Sequence, residues 1–191
     1  MSGNFLIFLL VSFGAIGYFW YVAIIKKRNA ALEALSTIDV QLKQRLDLLP
    51  NILTIAKKFM EHEKSLLTDI TALRTKLTNE YNKNDSNAVK EHLMAAQELS
   101  TKMGQFMINV ENYPDLKSDQ TMIQAMQTYN EVEGQIAAAR RFYNSSVSDL
   151  NNSVQIFPGN HIASIAGVSA MPFFQAEESA KEAINAAKFL G

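Results

Sequence analysis

The N-terminal stretch of the chain constrains the fold more than any other part. From Phe5 to Ile25, about 21 consecutive residues carry no charge, and Lys26, Lys27 and Arg28 follow at once. A helix of about 20 apolar residues, rising about 1.5 Å per residue, crosses a hydrocarbon core of about 30 Å. Residues 5–25 are therefore predicted to form a transmembrane helix.

A cleaved signal peptide and a buried core helix are the alternatives to this interpretation. A signal peptide carries positive charge before an apolar run of about 7–15 residues, and small residues follow the run. Residues 1–4 contain no Lys or Arg, the run is longer, and cations follow it. Its length and charged end also argue against a core helix, so a membrane anchor is favoured.

Aromatic and cationic residues near the end of the apolar run predict its depth and direction. Amphipathic rings favour the headgroup level of a bilayer, and cytoplasmic flanks carry an excess of Lys and Arg. The positive charge lies on the C-terminal side only, which predicts residues 1–4 outside and the body in the cytoplasm. The predicted membrane interface comprises Tyr18, Trp20, Tyr21, Lys26, Lys27 and Arg28.

The composition excludes several classes of function. The chain has 191 residues, a formal net charge of −1 and no cysteine. The missing cysteine excludes disulfides, thiolate metal sites, a cysteine nucleophile and cysteine-linked lipids. A near-neutral charge argues against nucleic acid as a partner. The sequence contains no P-loop, GxGxxG, HExxH or Ser-His-Asp order, so neither an enzyme nor a cofactor site is predicted.

Apolar residues after the anchor recur in alternating steps of three and four, which is typical of packed helices. Polar breaks at residues 82–87 and 113–119 separate three such seams, and Ser118 or Asp119 is suited to cap the third helix. The pattern predicts an all-α protein in which residues 26–156 form an antiparallel, up-and-down four-helix bundle. The seams are Leu35, Leu42, Leu46, Leu49, Leu53, Ala56, Met60, Leu67, Ile70 and Leu77; Val89, His92, Ala96, Leu99, Met103, Phe106, Val110 and Tyr113; and Met126, Tyr129, Ile136, Tyr143, Val147, Leu150 and Val154.

Pro50 leaves the first long helix ambiguous. The seam keeps its phase through Pro50, which indicates one kinked helix from about Lys27 to Tyr81. A proline within a helix costs about 3 kcal/mol, and a break there would give four segments of similar length. If the helix is continuous, its part between Lys27 and Pro50 has no evident partner in the chain, which favours a homo-oligomer.

The pattern changes in residues 157–191, where an apolar segment precedes a short helix predicted from about Gln175 to Phe189. Residues 161–174 carry no formal charge, and Gly167 and Pro172 argue against one regular helix. The segment is either an irregular strap over the end of the bundle or an exposed surface for a partner, another copy or the bilayer. The residues of this surface are Ile162, Ile165, Val168, Met171, Phe173 and Phe174.

Polar residues interrupt the apolar seams. Buried charges are costly unless they are paired, so these residues predict an interhelical network that fixes the helix register. A recognition patch inside the bundle is the alternative. The set comprises Asp39, Glu63, Arg74, Glu133 and Arg140, with Tyr143 and Asn144 beside Arg140.

A metal site inside the bundle is not predicted. Di-iron bundles bind their metals through Glu-x-x-His motifs. The acidic and histidine residues of this chain occur instead as Glu61-His62-Glu63 and Glu91-His92, which do not have that spacing.

Several short stretches together resemble the LemA family. They are Ile38-Asp39-Val40-Gln41-Leu42-Lys43-Gln44-Arg45, Asp47-Leu48-Leu49-Pro50-Asn51, His62-Glu63, Tyr113-Pro114-Asp115-Leu116-Lys117, Ala139-Arg140-Arg141-Phe142-Tyr143-Asn144 and Phe157-Pro158. The resemblance spans nearly the whole chain. It implies a single-pass bacterial membrane protein whose soluble part is a four-helix bundle, and it supplies no enzymatic activity.

These observations favour a membrane-anchored scaffold or adaptor at the cytoplasmic face of the bacterial inner membrane. Its expected partners are the lipid bilayer, further copies of itself and an unidentified membrane or cytoplasmic protein. A bundle that binds a small molecule or metal is the first alternative. A membrane-shaping protein is the second, and it requires the last long helix to run back toward the membrane.

Overall fold

A computed structural model describes residues 2–175, and those residues form helices and connecting segments without a strand. The predicted all-α class is thus confirmed for the described part of the chain. The predicted helix from about Gln175 to Phe189 lies, apart from Gln175 itself, outside the described residues. In chain order the helices are α1 (Ser2–Ala56), a 3-10 turn (Glu61–Glu63), α2 (Lys64–Thr78), α3 (Ser86–Val110), α4 (Pro114–Ser118), α5 (Gln120–Gln155) and α6 (Gly159–Ile165).

Helix α1 is continuous over 55 residues and contains Pro50. The alternative of a break at Pro50 is wrong, because the helix runs through the proline and ends six residues later, at Ala56. The alternative of one helix as far as Tyr81 is also wrong, because α2 is a separate helix that begins at Lys64. The chain then turns through residues 57–60, where the amide of Met60 donates to the carbonyl of Ala56 at 2.9 Å. The chain therefore reverses its direction between α1 and α2 through this turn and the 3-10 segment that follows it.

Contacts between side chains give the direction of each neighbouring pair of helices. Along α1 and α5, Lys27 contacts Ser153 and Arg45 contacts Glu133, so the two helices run in opposite directions. Helices α2 and α3 are also antiparallel, because Glu63, just before α2, contacts Asn109 while Asp69 contacts Lys102. Helix α2 packs back against α1.

The predicted seams lie in the core. Most of their apolar members are buried, from Leu35 to Leu77 in the first seam and from Tyr129 to Leu150 in the third. Helix α5 covers α1 between Lys27 and Pro50, where Ala31, Ile38 and Leu49 have no exposed surface. The expectation that this stretch lacks a partner within the chain is therefore wrong, because α5 returns along it.

Side-chain caps mark the starts of two long helices. Asp119 accepts a hydrogen bond from the amide of Met122 at the start of α5, which selects Asp119 over Ser118 as the cap. Asp85 caps α3 by accepting from the amide of Asn87. These caps satisfy donors that an α-helix leaves unpaired in its first turn.

Candidate functional site

The first part of α1 presents apolar side chains to its surroundings. By length and composition this helix is able to cross a membrane. Large side chains with about half or more of their surface exposed are Phe5, Ile7, Phe8, Leu9, Leu10, Val11, Phe13, Ile16, Tyr18, Phe19 and Tyr21. Exposure of this many large apolar groups along one helix is typical of a surface covered by lipid or protein.

The last turn of the apolar run of α1 already contacts the folded body. Ile24 is fully buried, although it belongs to the apolar run. The ring of Trp20 lies beside Gly159, at the start of α6. A Cβ atom at Gly159 would lie 2.0 Å from the carbonyl oxygen of Ser153, so only glycine allows this close approach.

Two of the predicted interface cations contact the body. The ammonium of Lys27 lies 2.5 Å from Ser153 Oγ, at the end of α5. The guanidinium of Arg28 donates to Asn84 Oδ1 at 2.7 Å, in the turn before α3. Tyr18, Tyr21 and Lys26 are exposed, and Trp20 is half-buried. The end of α5 and the start of α3 are therefore at the level where α1 leaves its apolar run.

A buried guanidinium lies in the middle of the body. Arg45 is fully buried, and its Nη1 contacts Glu133 Oε1 and Ser100 Oγ, both at 2.7 Å. Its Nη2 donates to the carbonyl of Ala96 at 3.0 Å. Burial raises the pKa of the adjacent Tyr129, so its hydroxyl remains protonated. One predicted residue, Glu133, thus joins α1, α3 and α5 through an arginine that the sequence interpretation did not include.

Asp39 forms a second polar cluster between α1 and α3. Its Oδ1 accepts from the hydroxyl of Tyr81 at 2.9 Å, and its Oδ2 lies 2.6 Å from Lys83 Nζ. Nε2 of His92 is 3.5 Å from Oδ1, and its ring stacks on Tyr81 with centroids 4.0 Å apart. Burial acts to raise the pKa of Asp39, but the interactions with His92, Lys83 and Tyr81 outweigh it and lower that pKa.

The Asp39 cluster lines an open groove of about 550 Å³ between α1, α2 and the turn before α3. Lys43, Arg74 and Glu80 also lie on its wall. The groove thus combines both signs of charge with aromatic surface. Within the described residues, no group of three or more His, Asp or Glu side chains could hold a metal ion.

Arg74 contacts the backbone of α1 instead of an acidic side chain. Its Nε donates to the carbonyl oxygen of Leu46 at 3.0 Å. Leu46 lies four residues before Pro50, and proline has no amide hydrogen to donate to that carbonyl. Arg74 therefore supplies the donor that the proline removes.

Asparagine side chains of α5 hold the segment that follows α6. The Asn151 amide donates to the carbonyl of Met171 and accepts from its backbone amide, each at 2.9 Å. Asn144 makes the same pair of bonds to Phe174, also at 2.9 Å. The Tyr143 hydroxyl donates to the carbonyl of Pro172 at 2.7 Å. Residues 168–175, here called the strap, thus run antiparallel to α5.

The predicted partner surface divides into buried and exposed residues. Val168 and Phe174 are buried, and the guanidinium of Arg140 lies 4.7 Å from the centre of the Phe174 ring. Their assignment to an exposed surface is wrong, because both fill space against the body. Ile165 is 89 % exposed and Phe173 is 48 % exposed, while Ile162 and Met171 are half-buried.

The seven predicted polar residues lie in several separate contacts. Glu133 pairs with Arg45, Asp39 with Lys83, and Glu63 Oε2 accepts from Asn109 Nδ2 at 2.9 Å. Arg74 contacts the α1 backbone, while Arg140, Tyr143 and Asn144 contact the strap. The predicted polar network did not include Arg45. Its burial is nevertheless indicated by the sequence, because Arg45 shares a seven-residue spacing with Ala31, Ile38 and Ile52, which are fully buried.

Fold and surface together define an all-helical protein with one N-terminal helix that is long and apolar enough to cross a membrane. The model of the LemA family matches residues 34–189, so the chain belongs to the LemA family. It is 26 % identical over 179 residues to Protein LemA of Metamycoplasma hominis, covering 91 % of this chain and 78 % of that protein.

Similarity also extends to magnetosome proteins. Over 73 residues the chain is 34 % identical to Magnetosome protein MamQ 2 of Paramagnetospirillum magneticum, covering 38 % of this chain and 27 % of that protein. Over 90 residues it is 29 % identical to Magnetosome protein MamQ of Magnetospirillum gryphiswaldense, covering 47 % and 33 %. The chain thus spans about a third or less of these two relatives.

Proposed function

We propose that this chain is a single-pass membrane protein whose helical body acts as a scaffold or adaptor at the cytoplasmic face of the bacterial inner membrane. In this proposal α1, α2, α3 and α5 form an up-and-down four-helix bundle. The body works through protein contacts, including contacts with further copies of itself. Such a role requires no catalytic step and no cofactor.

The observation that carries the anchoring is the change of environment along α1. Most of its large apolar side chains between Phe5 and Tyr21 are exposed, whereas from Ile24 onward one face of the same helix is buried in the core. Lipid is the surrounding that makes the first part favourable, since each buried large apolar side chain contributes about 1.5–3 kcal/mol. Lys26, Lys27 and Arg28 support a cytoplasmic body.

Labelling of single cysteines tests the orientation, because the chain contains none of its own. Asn4→Cys and Glu111→Cys place one thiol at each end of the molecule. In intact cells an impermeant maleimide should modify the first variant only, and permeabilised cells should expose the second. Modification of Glu111→Cys in intact cells would place the body outside and overturn the orientation.

A groove beside the strap supports the scaffold role. It encloses about 830 Å³, and Met94 of α3 and Phe173 of the strap lie on its wall. Both side chains are about half or more exposed. Lys90, Glu91 and Glu98 border them. An apolar centre with a charged rim is the arrangement found at protein interfaces.

In-cell cross-linking from a photo-reactive residue tests this role. The residue replaces Phe173, and the matched control replaces Ile108, which is 70 % exposed and belongs to the last turn of α3. Position 173 should cross-link to one specific protein or to a second copy of this chain, and position 108 should not. A chain that purifies as a lone monomer without cross-linked neighbours would contradict the proposal.

The groove beside Asp39 favours a second candidate, the binding of a small molecule. Its wall offers a carboxylate, the ammonium of Lys83 and the stacked rings of Tyr81 and His92. Native mass spectrometry of protein purified without chelators should then show an added mass. That mass should be lost in Asp39→Asn. Bare protein in both preparations would remove this candidate.

A further inference from the structure

We propose that the corner between α5 and α6 is a second lipid contact, which seats the body in the headgroup layer beside the transmembrane helix. The corner comprises residues 156–161. The inference rests on the anchoring proposed above and adds a membrane-binding surface to the body itself.

The position of the corner follows from three contacts with α1. Lys27 reaches Ser153, Trp20 lies beside Gly159, and Ile24 is fully buried between these two levels. Trp20 lies five residues before the end of the apolar run, about 7 Å inside it at the rise of an α-helix. Tryptophan side chains favour the interface between headgroups and acyl chains, and Trp20 belongs to the predicted membrane interface. The corner beside its ring is therefore predicted to lie at that interface.

The surface chemistry of the corner fits that depth. Ile156 is 59 % exposed and Phe157 is 74 % exposed, although both belong to the folded body. No Lys, Arg, Asp or Glu occurs from Leu150 to Ala176. Phe157 also makes an edge-to-face contact with the ring of His161, with centroids 5.9 Å apart. An uncharged surface of large apolar and aromatic groups is typical of interfacial membrane contacts.

Continuity with the transmembrane helix identifies lipid as the occupant. Any bilayer that surrounds α1 up to Ile25 also meets the part of the body that packs on Trp20, and Gly159 of the corner lies beside the Trp20 ring. Water at this position would leave Phe157 and Ile156 hydrated. Lipid would remove their large apolar surfaces from water, which is favourable.

Depth-dependent fluorescence quenching tests the contact in the full-length chain. Three single-cysteine variants carry the same environment-sensitive dye: Phe157→Cys in the corner, Phe142→Cys on α5 as a matched control, and Phe13→Cys in the anchor. Phe142 is 60 % exposed and lies about 16 Å from Ser153 along α5. The protein is reconstituted in phosphatidylcholine–phosphatidylglycerol vesicles that contain lipids spin-labelled at a shallow or a deep position.

The shallow spin label should quench the dye at position 157 several-fold more than the dye at position 142, and the deep label should quench position 13. Equal quenching at 157 and 142, with position 13 quenched, would overturn the lipid contact and leave the anchor intact. An unquenched position 13 would overturn the anchoring and this inference together. Thermal melting followed by circular dichroism verifies folding, and Ile156→Cys replaces Phe157→Cys if that variant does not fold.

Discussion

At the scale of single residues, the carbonyl of Leu46 illustrates how a proline is accommodated inside α1. Pro50 cannot donate to this acceptor, and an unsatisfied buried carbonyl costs about 1–3 kcal/mol. Arg74 donates to it at 3.0 Å from α2. The same contact ties the end of α1 to the helix that reverses direction after it. This geometry predicts that the contribution of Arg74 to stability depends on the proline.

A double-mutant cycle measures this coupling. Arg74→Met should lower the free energy of unfolding by about 1–2 kcal/mol, because it leaves the Leu46 carbonyl without its donor. In a Pro50→Ala background the backbone amide at position 50 returns, so the same substitution should cost clearly less. Denaturant unfolding in detergent micelles gives the four values. Equal costs in both backgrounds would show that Arg74 acts independently of the proline.

The pKa of Asp39 predicts a dependence of stability on pH. Burial acts to raise this pKa, and His92, Lys83 and Tyr81 together lower it below its usual range. An acid whose pKa falls on folding stabilises the folded state above its unfolded pKa of about 4, and this stability is lost as the pH falls through the lowered value. Unfolding free energies of the wild type and Asp39→Asn should therefore differ at neutral pH and converge in acid. A constant difference would contradict this assignment.

At the scale of elements, the strap matches α5 in spacing. Asn144 and Asn151 are seven residues apart, so they share one face of the helix at a distance of about 10.5 Å. Their partners Phe174 and Met171 are three residues apart, and three extended residues span about 10 Å. Because these two distances agree, each asparagine pairs with both the backbone amide and the backbone carbonyl of one strap residue.

Loss of both asparagines should release the strap without unfolding the core. In Asn144→Ala/Asn151→Ala, four hydrogen bonds to the strap disappear. The amides of Met171 and Phe174 should then exchange with solvent much faster, while amides in the middle of α5 remain protected. Asn152→Ala, at the exposed neighbouring position, serves as the control and should leave the strap protected. Unchanged exchange in the double variant would show that Tyr143 and the burial of Phe174 suffice.

Periodic features of this fold are predictable from sequence, and non-periodic ones are not. The seams identified buried residues such as Leu42, Leu99 and Tyr143, because burial along a helix repeats with the helix. The path of the strap depends on side-chain bonds to the backbone, which leave no repeating pattern. The spacing of Arg45 indicates a core position, but its role is identified only through the partners that surround the guanidinium. Those partners, Glu133 and Ser100, come from two distant helices.

At the scale of the whole molecule, the apolar run of α1 and the body share residues. The apolar run ends at Ile25, but the core begins at Ile24 and the Trp20 ring lies against Gly159. Helix α1 is continuous across this junction, so the structure contains no flexible linker between the anchor and the core. In the proposed membrane arrangement, a rotation or tilt of the apolar run should therefore be transmitted to the body through α1 and through the α5–α6 corner.

Two N-terminal truncations test this overlap. Deletion of residues 2–19 removes most of the exposed apolar side chains and keeps Trp20 and Ile24, whereas deletion of residues 2–25 removes both. Each form should leave the membrane, since the span is too short to cross it. The longer deletion should be less stable to denaturant by about 2–3 kcal/mol, because the fully buried Ile24 and the ring over Gly159 are lost. Equal stability of the two forms would show that the core begins after Ile25 and that the anchor only tethers it.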